Sequence, residues 1–159
     1  MATAPSTNPI LVPVDFSPDS EAALVCAAEL STLFKAPLLV VHIVHDPGDA
    51  PGYYAVKGHN KHLQKLEDVA AGMLKEFMQS FSEAHPDLAA ISTAETTLIT
   101  GLPVNRILEL ADKSAARMIV MGSQGRTGLA RALLGSKAES VVRLAHIPVT
   151  IVKSDEKHD

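Results

Sequence analysis

Apolar residues along this chain fall into five short runs that alternate with longer amphipathic stretches. The runs are rich in β-branched and aliphatic side chains and cover residues 10–14, 38–44, 91–99, 118–122 and 149–152. The second and fourth are almost continuously apolar, as expected of strands that helices cover on both faces. Strands separated by helices imply right-handed crossovers, so the pattern predicts an α/β fold: an open, five-stranded parallel sheet with helices on both faces.

The amphipathic stretches predict four helices with recognisable ends. Ser17 is suited to cap the first helix, Pro18 fits its first turn, and Pro37 lies beyond its end. The third helix begins near Pro103 and the fourth at Ser136. Apolar residues at helical spacing predict the buried faces: Leu24, Ala27, Ala28 and Leu30 in the first helix; Leu63, Leu66, Ala70, Met73, Phe77 and Phe81 in the second; Val104, Ile107, Leu108 and Ala111 in the third; Ala138, Val141, Val142 and Ala145 in the fourth.

Small residues follow the fourth apolar run in a spaced pattern, Gly-x2-Gly-x9-Gly-Ser, formed by Gly122, Gly125, Gly135 and Ser136. Glycines just past a strand let backbone N–H groups close around a bulky anion. Gly135 and Ser136 also open the fourth helix, and the N-terminus of a helix suits a phosphate. The pattern indicates a nucleotide site, and from these residues alone an ordinary turn and helix cap is the alternative.

The spacing excludes two commoner phosphate motifs. A Walker A loop needs Gly-x4-Gly-Lys followed by Ser or Thr, whereas the order here is Gly135, Ser136, Lys137. The dinucleotide fingerprint Gly-x-Gly-x2-Gly belongs near the first strand, whereas the glycines of this chain lie near its last strand.

Composition narrows the class of protein. The length of 159 residues suits a single domain, with a core over about 10–153 and disordered tails at 1–8 and 154–159. A net charge of −4 argues against a nucleic-acid binder, and no apolar stretch approaches the ~20 residues of a membrane helix. Cys26 has no disulfide partner and is predicted to be a buried, inert thiol. The first residues do not form a secretory signal, which favours the cytoplasm.

Three segments together resemble the ATP-binding branch of the universal stress protein family. They are Val12-Pro13-Val14-Asp15-Phe16-Ser17, His42-Ile43-Val44-His45, and Met121-Gly122-Ser123-Gln124-Gly125-Arg126-Thr127 with the later Gly135-Ser136. The resemblance covers residues from about 10 to 153. It implies the strand order 3-2-1-4-5, a Rossmann-like adenine-nucleotide-binding fold, and a homodimer formed antiparallel through the last strand at Val149 and Ile151.

In that strand order, strands 1 and 4 are neighbours and the chain reverses its winding between them. Ligands of open α/β sheets bind at such a switch point, beyond the carboxyl ends of the strands. Asp15 ends the first strand and Gly122 ends the fourth. Both segments are therefore expected at one crevice, which favours a nucleotide site over a plain turn.

The chemistry and the resemblance together imply a role for each residue near the base and sugar. Asp15 would accept hydrogen bonds from ribose hydroxyls or meet a metal such as Mg²⁺ beside the phosphates, and capping of the next helix is its alternative. Pro13, Val14 and Ile43 would surround adenine, although strand packing also explains them. Met121 would lie against the sugar.

The remaining site residues are expected near the phosphates. Gly122 would lie beside the first phosphate, and Gly125 would let the loop pass close to the others. Gly135, Ser136 and the N–H of Lys137 would bind the terminal phosphates, with the Ser136 hydroxyl as a phosphate donor, an N-cap or both. The Lys137 ammonium would point to a phosphate or into water, and Arg126 could swing over the phosphates.

Other polar residues suggest weaker hypotheses. His42, His45, His59 and His62 have no cysteine beside them and are predicted to be solvent-exposed rather than zinc ligands. The loop before the second helix contains Tyr53 and Tyr54, which are candidates for a lid over the crevice.

The predicted function is a regulatory homodimer of the stress response that binds ATP, or else ADP or AMP. One alternative is an ATP-using enzyme, by slow hydrolysis or by adenylyl or phosphoryl transfer, although no activated nucleophile with a paired base is recognisable. Another is a nucleotide-independent interaction module. A receiver-like signalling domain is rejected because Asp15 stands alone after strand 1 and no Asp follows strand 3.

Overall fold

The computed structural model describes residues 7–45, 60–125 and 133–155. Within these ranges, strands and helices alternate in the order β1 (Ile10–Pro13), α1 (Pro18–Phe34), β2 (Leu38–Val44), α2 (Asn60–Ala84), α3 (Ala89–Ser92), β3 (Glu95–Thr100), α4 (Pro103–Lys113), β4 (Met118–Gly122), α5 (Ser136–Leu144) and β5 (Val149–Val152). The strands pair in parallel in the order β3-β2-β1-β4-β5. The predicted fold class and strand order are confirmed.

Successive residues of the strands face opposite layers of helices, as the two-residue period of a strand requires. One face packs against α1 and α2 through a core that includes Ile10, Val12, Val40, Val120, Leu24, Ala27, Leu74 and Phe81. The other face packs against α4 and α5 through a core that includes Leu11, Val41, Ile43, Ile119, Met121, Ile107 and Val141. The central strands are thus buried on both sides, as their continuous apolar runs indicate.

The ends of α1 are fixed by local chemistry. The Ser17 hydroxyl accepts a hydrogen bond from the N–H of Ser20 at 3.2 Å, and Pro18 occupies the first turn, so both predicted start signals are confirmed. At the other end Lys35 adopts a left-handed φ of 51° and its N–H donates to Ser31. This conformation closes many helices but is unusual for a residue with a side chain.

β3 starts later than predicted. Ile91 and Ser92, which the apolar pattern assigned to the strand, belong to the short helix α3. Ile91 is buried in the core beneath α1, so it is apolar because a helix packs there and not because a strand does. A short apolar run cannot distinguish these two cases by periodicity.

The burial of several helical residues differs from the prediction. Val142 of α5 is 46% exposed, since it follows the fully buried Val141 and adjacent helix residues point about 100° apart. Cys26 is only partly buried, at the margin of the α1 core. Leu74 of α2 is buried although the proposed stripe omitted it.

β5 is an edge strand of the described sheet, and its backbone groups alternate in direction. The carbonyl oxygens of Pro148 and Val152 each accept from an N–H of β4 or its next residue at 2.9 Å. Because backbone groups alternate sides along a strand of a ladder, the N–H of Thr150 also faces β4. The N–H groups of Val149 and Ile151 therefore face outward.

Some predictions fall outside the described part of the chain. They concern Arg126, the lid residues Tyr53 and Tyr54, His59, the side chains of His62 and Leu63, and most of the two tails. Among the helices that are described, none is both long enough and apolar enough to cross a bilayer.

Candidate functional site

A crevice lies beyond the carboxyl ends of β1, β2 and β4, where α5 also begins. β1 and β4 are neighbours, so this is the point at which the winding of the sheet reverses. Its walls include ten residues that sequence reasoning placed at one site: Pro13, Val14, Asp15, Ile43, Met121, Gly122, Gly125, Gly135, Ser136 and Lys137.

Asp15 is held in the turn that joins β1 to α1. Its Oδ1 accepts hydrogen bonds from the hydroxyl and the N–H of Ser17, the latter at 3.0 Å. Ser17 itself caps α1, so the alternative role of Asp15 as the helix cap is wrong. Phe16, between them, has a left-handed φ of 66°, a conformation that non-glycine residues keep only when their surroundings impose it. The turn thus fixes a carboxylate at the crevice.

His42 is buried, not solvent-exposed as predicted. The residue is 2% exposed, and its Nδ1 lies 2.7 Å from the carbonyl oxygen of Val14. A carbonyl oxygen can only accept, so Nδ1 carries the proton and donates it. The imidazole packs on Phe16 with 4.5 Å between ring centroids. Helices cover both faces of β2, so its side chains are buried whichever face they point to. The absence of a cysteine beside the histidines gave no information about this burial.

Gly122 packs so closely against α1 that a side chain would not fit. A Cβ at this position would lie 2.8 Å from both the carbonyl carbon and the Cβ of Asp19, and 2.9 Å from the nitrogen of Ser20. Main-chain atoms cannot retreat without moving the helix. Sequence reasoning attributed this glycine to a ligand, whereas strand–helix packing already requires it.

Gly125 and Gly135 are crowded by protein atoms as well. A Cβ on Gly125 would lie 2.9 Å from Oδ2 of Asp15, and one on Gly135 would lie 2.7 Å from the carbonyl oxygen of Ser123. Of the glycines that the structure describes, only Gly101 has a left-handed φ. The first role of these two glycines is therefore to let the backbone after β4 pack closely against Asp15 and Ser123.

Gln124 closes the loop that carries the glycine pattern. Its Nε2 donates to the carbonyl oxygen of Leu133, and the N–H of Gly135 donates to the carbonyl oxygen of Ser123, both at 2.8 Å. The N–H of Gln124 donates to Oδ2 of Asp19 at 3.0 Å. Sequence reasoning missed both Gln124 and Asp19; only the place of Gln124 inside Gly-x2-Gly could have signalled it.

α5 begins at the crevice with Gly135 as its N-cap, and no side chain among the described residues caps it. Ser136 is the first residue of the helix, so the suggestion that it is the N-cap is wrong. Ser136 and Lys137 are both exposed. Because the first N–H groups of a helix have no partner within it and carry a partial positive charge, this end is suited to an anion.

The described residues contain no group of three or more His, Cys, Asp or Glu side chains arranged to hold a metal ion. Asp15 contributes one carboxylate to the crevice wall. Mg²⁺ in proteins is commonly held by one or two carboxylates together with phosphate oxygens and water. The donor set therefore fits a Mg²⁺ ion that arrives with a nucleotide.

Comparison with known sequences identifies a family. The profile described as "Universal stress protein family" matches residues 7–153. Universal stress protein MJ0531 of Methanocaldococcus jannaschii is 33% identical over 148 residues, which make up 93% of this chain and 83% of that protein.

Two solved structures share the fold. A universal stress protein crystallised in complex with cAMP matches with a TM-score of 0.62 at 23% identity, covering 91% of this chain and 95% of that chain. The universal stress protein from Archaeoglobus fulgidus in complex with dAMP matches with a TM-score of 0.56 at 24% identity, covering 94% and 100%.

Proposed function

This chain belongs to the universal stress protein family, and we propose that it binds an adenine nucleotide in the crevice between β1, β4 and α5. ATP is the proposed ligand, with ADP or AMP as its alternatives and Mg²⁺ as the companion ion. The observation that carries the proposal is that Asp15, the described part of the loop after β4 (residues 123–125 and 133–135, the glycine loop) and the N-terminus of α5 contribute to one crevice. The cAMP and dAMP complexes of similarly folded proteins support the ligand class.

The base would be held by the ends of the central strands. Val14 and Ile43 line the crevice but are only 4% and 7% exposed, so adenine would meet only the small part of each residue that remains accessible. Pro13 and Met121 complete this apolar wall. His42 donates a hydrogen bond to the carbonyl oxygen of Val14, which would fix this end of the wall for a ligand.

The sugar and phosphates would follow the line from Asp15 to α5. Oδ2 of Asp15, on the side of Gly125, is the oxygen proposed to meet a ribose hydroxyl or Mg²⁺. The terminal phosphates would bind the N–H groups of Ser136 and Lys137, with the Lys137 and Arg126 side chains adding charge. One charge at a helix end contributes about 0.3–1 kcal/mol, whereas micromolar binding requires about 8 kcal/mol, so the whole cradle is needed.

The role proposed for this protein is that of a single-domain, cytoplasmic regulator of the stress response that acts as a homodimer. Pairing would use the outward backbone groups of Val149 and Ile151, and the bound nucleotide would bias the surface that a partner meets. The two alternatives give different measurements. A nucleotide-independent interaction module would not bind ATP. An ATP-using enzyme would form product from it, and turnover above about 1 per second, the ordinary enzyme range, would overturn the proposal of a plain binder.

Titration calorimetry with ATP, ADP, AMP and GTP, each with Mg²⁺, tests the proposal. Saturable binding of an adenine nucleotide with a micromolar Kd, and weaker binding of GTP, is expected. If none of the three adenine nucleotides binds at millimolar concentration, the proposed function is wrong.

A variant at the helix end locates the site. Ser136→Asp places a carboxylate where the helix dipole favours it, so the fold is retained, but the charge repels phosphate and should raise the Kd for ATP at least tenfold. Ser92→Asp, an exposed substitution of equal charge on α3, is the control and should leave the Kd unchanged. Gly135 is a poorer probe because a side chain there would strike Ser123 whether or not a ligand binds.

A further inference from the structure

Asp19 joins two segments of the chain that are far apart in sequence. Its Oδ2 accepts a hydrogen bond from the N–H of Gln124, at the start of the glycine loop, at 3.0 Å. Its Oδ1 accepts one from the N–H of Ser154, just beyond β5, at 2.9 Å. Each carboxylate oxygen thus holds one backbone amide, and neither amide belongs to the helix that carries Asp19.

The position of Asp19 is itself fixed. It lies in the first turn of α1, directly after the capped start of the helix. Gly122 of β4 packs directly against it: the backbone and Cβ of Asp19 fill the space that a Cβ on Gly122 would need. If the N–H of Gln124 or of Ser154 shifts, the Asp19 side chain therefore cannot move with it without weakening its hydrogen bond to the other.

The amide that Asp19 holds is one of the contacts that position the glycine loop. Gln124 is followed by Gly125, whose backbone approaches Oδ2 of Asp15 so closely that a Cβ would come within 2.9 Å of it. Gln124 is preceded by Ser123, whose N–H donates to Val152 at the end of β5. A shift of the Gln124 amide would move the loop along the crevice wall and disturb its register with β5.

We propose that Asp19 is a positioning residue that couples the glycine loop of the crevice to the chain leaving β5. A ligand that holds the loop in place strengthens the bond from Gln124 to Asp19 and, through the same carboxylate, the bond from Ser154. Coupling between sites is reciprocal. Loss of the hydrogen bond from Ser154 to Asp19 therefore weakens ligand binding by the same factor by which the ligand strengthens that bond. The ligand half of this proposal rests on the proposed nucleotide function; the link between the two segments does not.

The chemistry of the side chain gives a sharp probe. A carboxylate offers an acceptor on both oxygens, whereas an amide of the same shape offers one acceptor and one N–H₂ donor. Asp19→Asn therefore preserves size but turns a donor toward one of the two backbone N–H groups. Glu21→Gln is the matched control. Glu21 is an exposed acidic residue in the same first turn of α1, so its replacement removes one negative charge near the same helix N-terminus.

Amide hydrogen exchange in the ligand-free protein tests the link. Both Gln124 and Ser154 should exchange about tenfold or more faster in Asp19→Asn than in wild type, because hydrogen bonds to a charged acceptor protect strongly. Glu21→Gln should leave both rates unchanged. Faster exchange at only one of the two amides, or at neither, would overturn the coupling.

Ser154→Pro provides the reverse arm because proline has no N–H to donate. Exchange at Gln124 should then accelerate about threefold or more although no residue of the loop is altered. Ser154→Ala keeps the backbone donor and should behave as wild type. An unchanged rate at Gln124 in the proline variant means that the two segments are independent.

Nucleotide binding supplies the functional arm. Saturating ATP should slow exchange at Ser154 in wild type, and Asp19→Asn should raise the Kd for ATP about tenfold relative to Glu21→Gln. Binding to wild type with no change at Ser154 refutes the coupling and leaves the proposed function intact. Absence of binding to wild type refutes the function, while the exchange rates of the ligand-free variants still decide the coupling.

Discussion

The imidazole of His42 on β2 donates from Nδ1 to the carbonyl oxygen of Val14, 2.7 Å away, at the end of β1. The N–H of Val14 donates in turn to Val41 at 2.8 Å. Both backbone groups of Val14 are therefore satisfied by β2, although the ladder between the two strands ends at Pro13. One buried side chain extends the sheet by a residue, to the edge of the crevice.

His42→Leu should lower the free energy of unfolding by about 1–3 kcal/mol, because the buried carbonyl oxygen of Val14 would lose its donor. His42→Asn should lose less, since its side-chain amide N–H₂ can replace the Nδ1 donor. Urea denaturation of the three proteins measures the difference. Equal stabilities for the Leu and wild-type proteins would mean that the hydrogen bond contributes nothing.

Gly122→Ala should destabilise the fold by about 1–3 kcal/mol, the usual effect of overpacking, because the new methyl group would meet the backbone of α1. Gly72→Ala is the matched control. Gly72 lies in α2 with no atom within 4 Å of a Cβ, so alanine there should stabilise by about 1 kcal/mol. Shifts of the same sign in thermal or urea unfolding would contradict this packing argument.

Ile151→Pro should convert the proposed homodimer into a monomer, because it deletes an N–H that faces the free edge of the sheet. Ile151→Ala retains that N–H and controls for the lost side chain. Thr150→Pro is the wrong probe of the dimer, since the Thr150 N–H faces β4 and its loss would weaken the sheet itself. Light scattering at micromolar concentration reports the mass of each protein; a monomeric wild type would exclude the dimer.

Burial, and secondarily the negative charge of Glu29, raises the pKa of the Cys26 thiol above its ordinary value of 9.0. The folded chain therefore holds this proton more tightly than the unfolded chain does. The resulting stabilisation is fully present below pH 9 and is lost as pH rises through the folded pKa. The rate of alkylation by iodoacetamide against pH should have a higher midpoint in the native protein than in urea; coincident midpoints would refute the shift.

The bounds of β2, β4 and β5 could be predicted from sequence because their apolar runs end at sharp changes of composition. The start of β3 could not. Ile91 is as apolar as a strand residue, and only its tertiary contacts with the α1 layer determine that it lies in a helix. Cys26 and Val142 show the same limit, because helical spacing identifies a stripe but not how far the core extends around it.

The candidate site could be predicted as a set of residues but not as a set of contacts. Gly122, Gly125 and Gly135 were recognised by their spacing, which correctly placed them at one crevice wall. These positions must be small because a Cβ on each would meet atoms of Asp19, Asp15 or Ser123. The sequence pattern does not show that these residues are close in space. Gln124 and Asp19 have no motif of their own, so their hydrogen bonds became visible only in three dimensions.

The hydrogen bonds from Gly135 to Ser123 and from Gln124 to Leu133 hold the entry and exit of segment 126–132 side by side. Where the two ends of a loop are already fixed, added length changes closure entropy only slowly. A fluorescent protein could therefore be grafted into this segment with the sheet undisturbed.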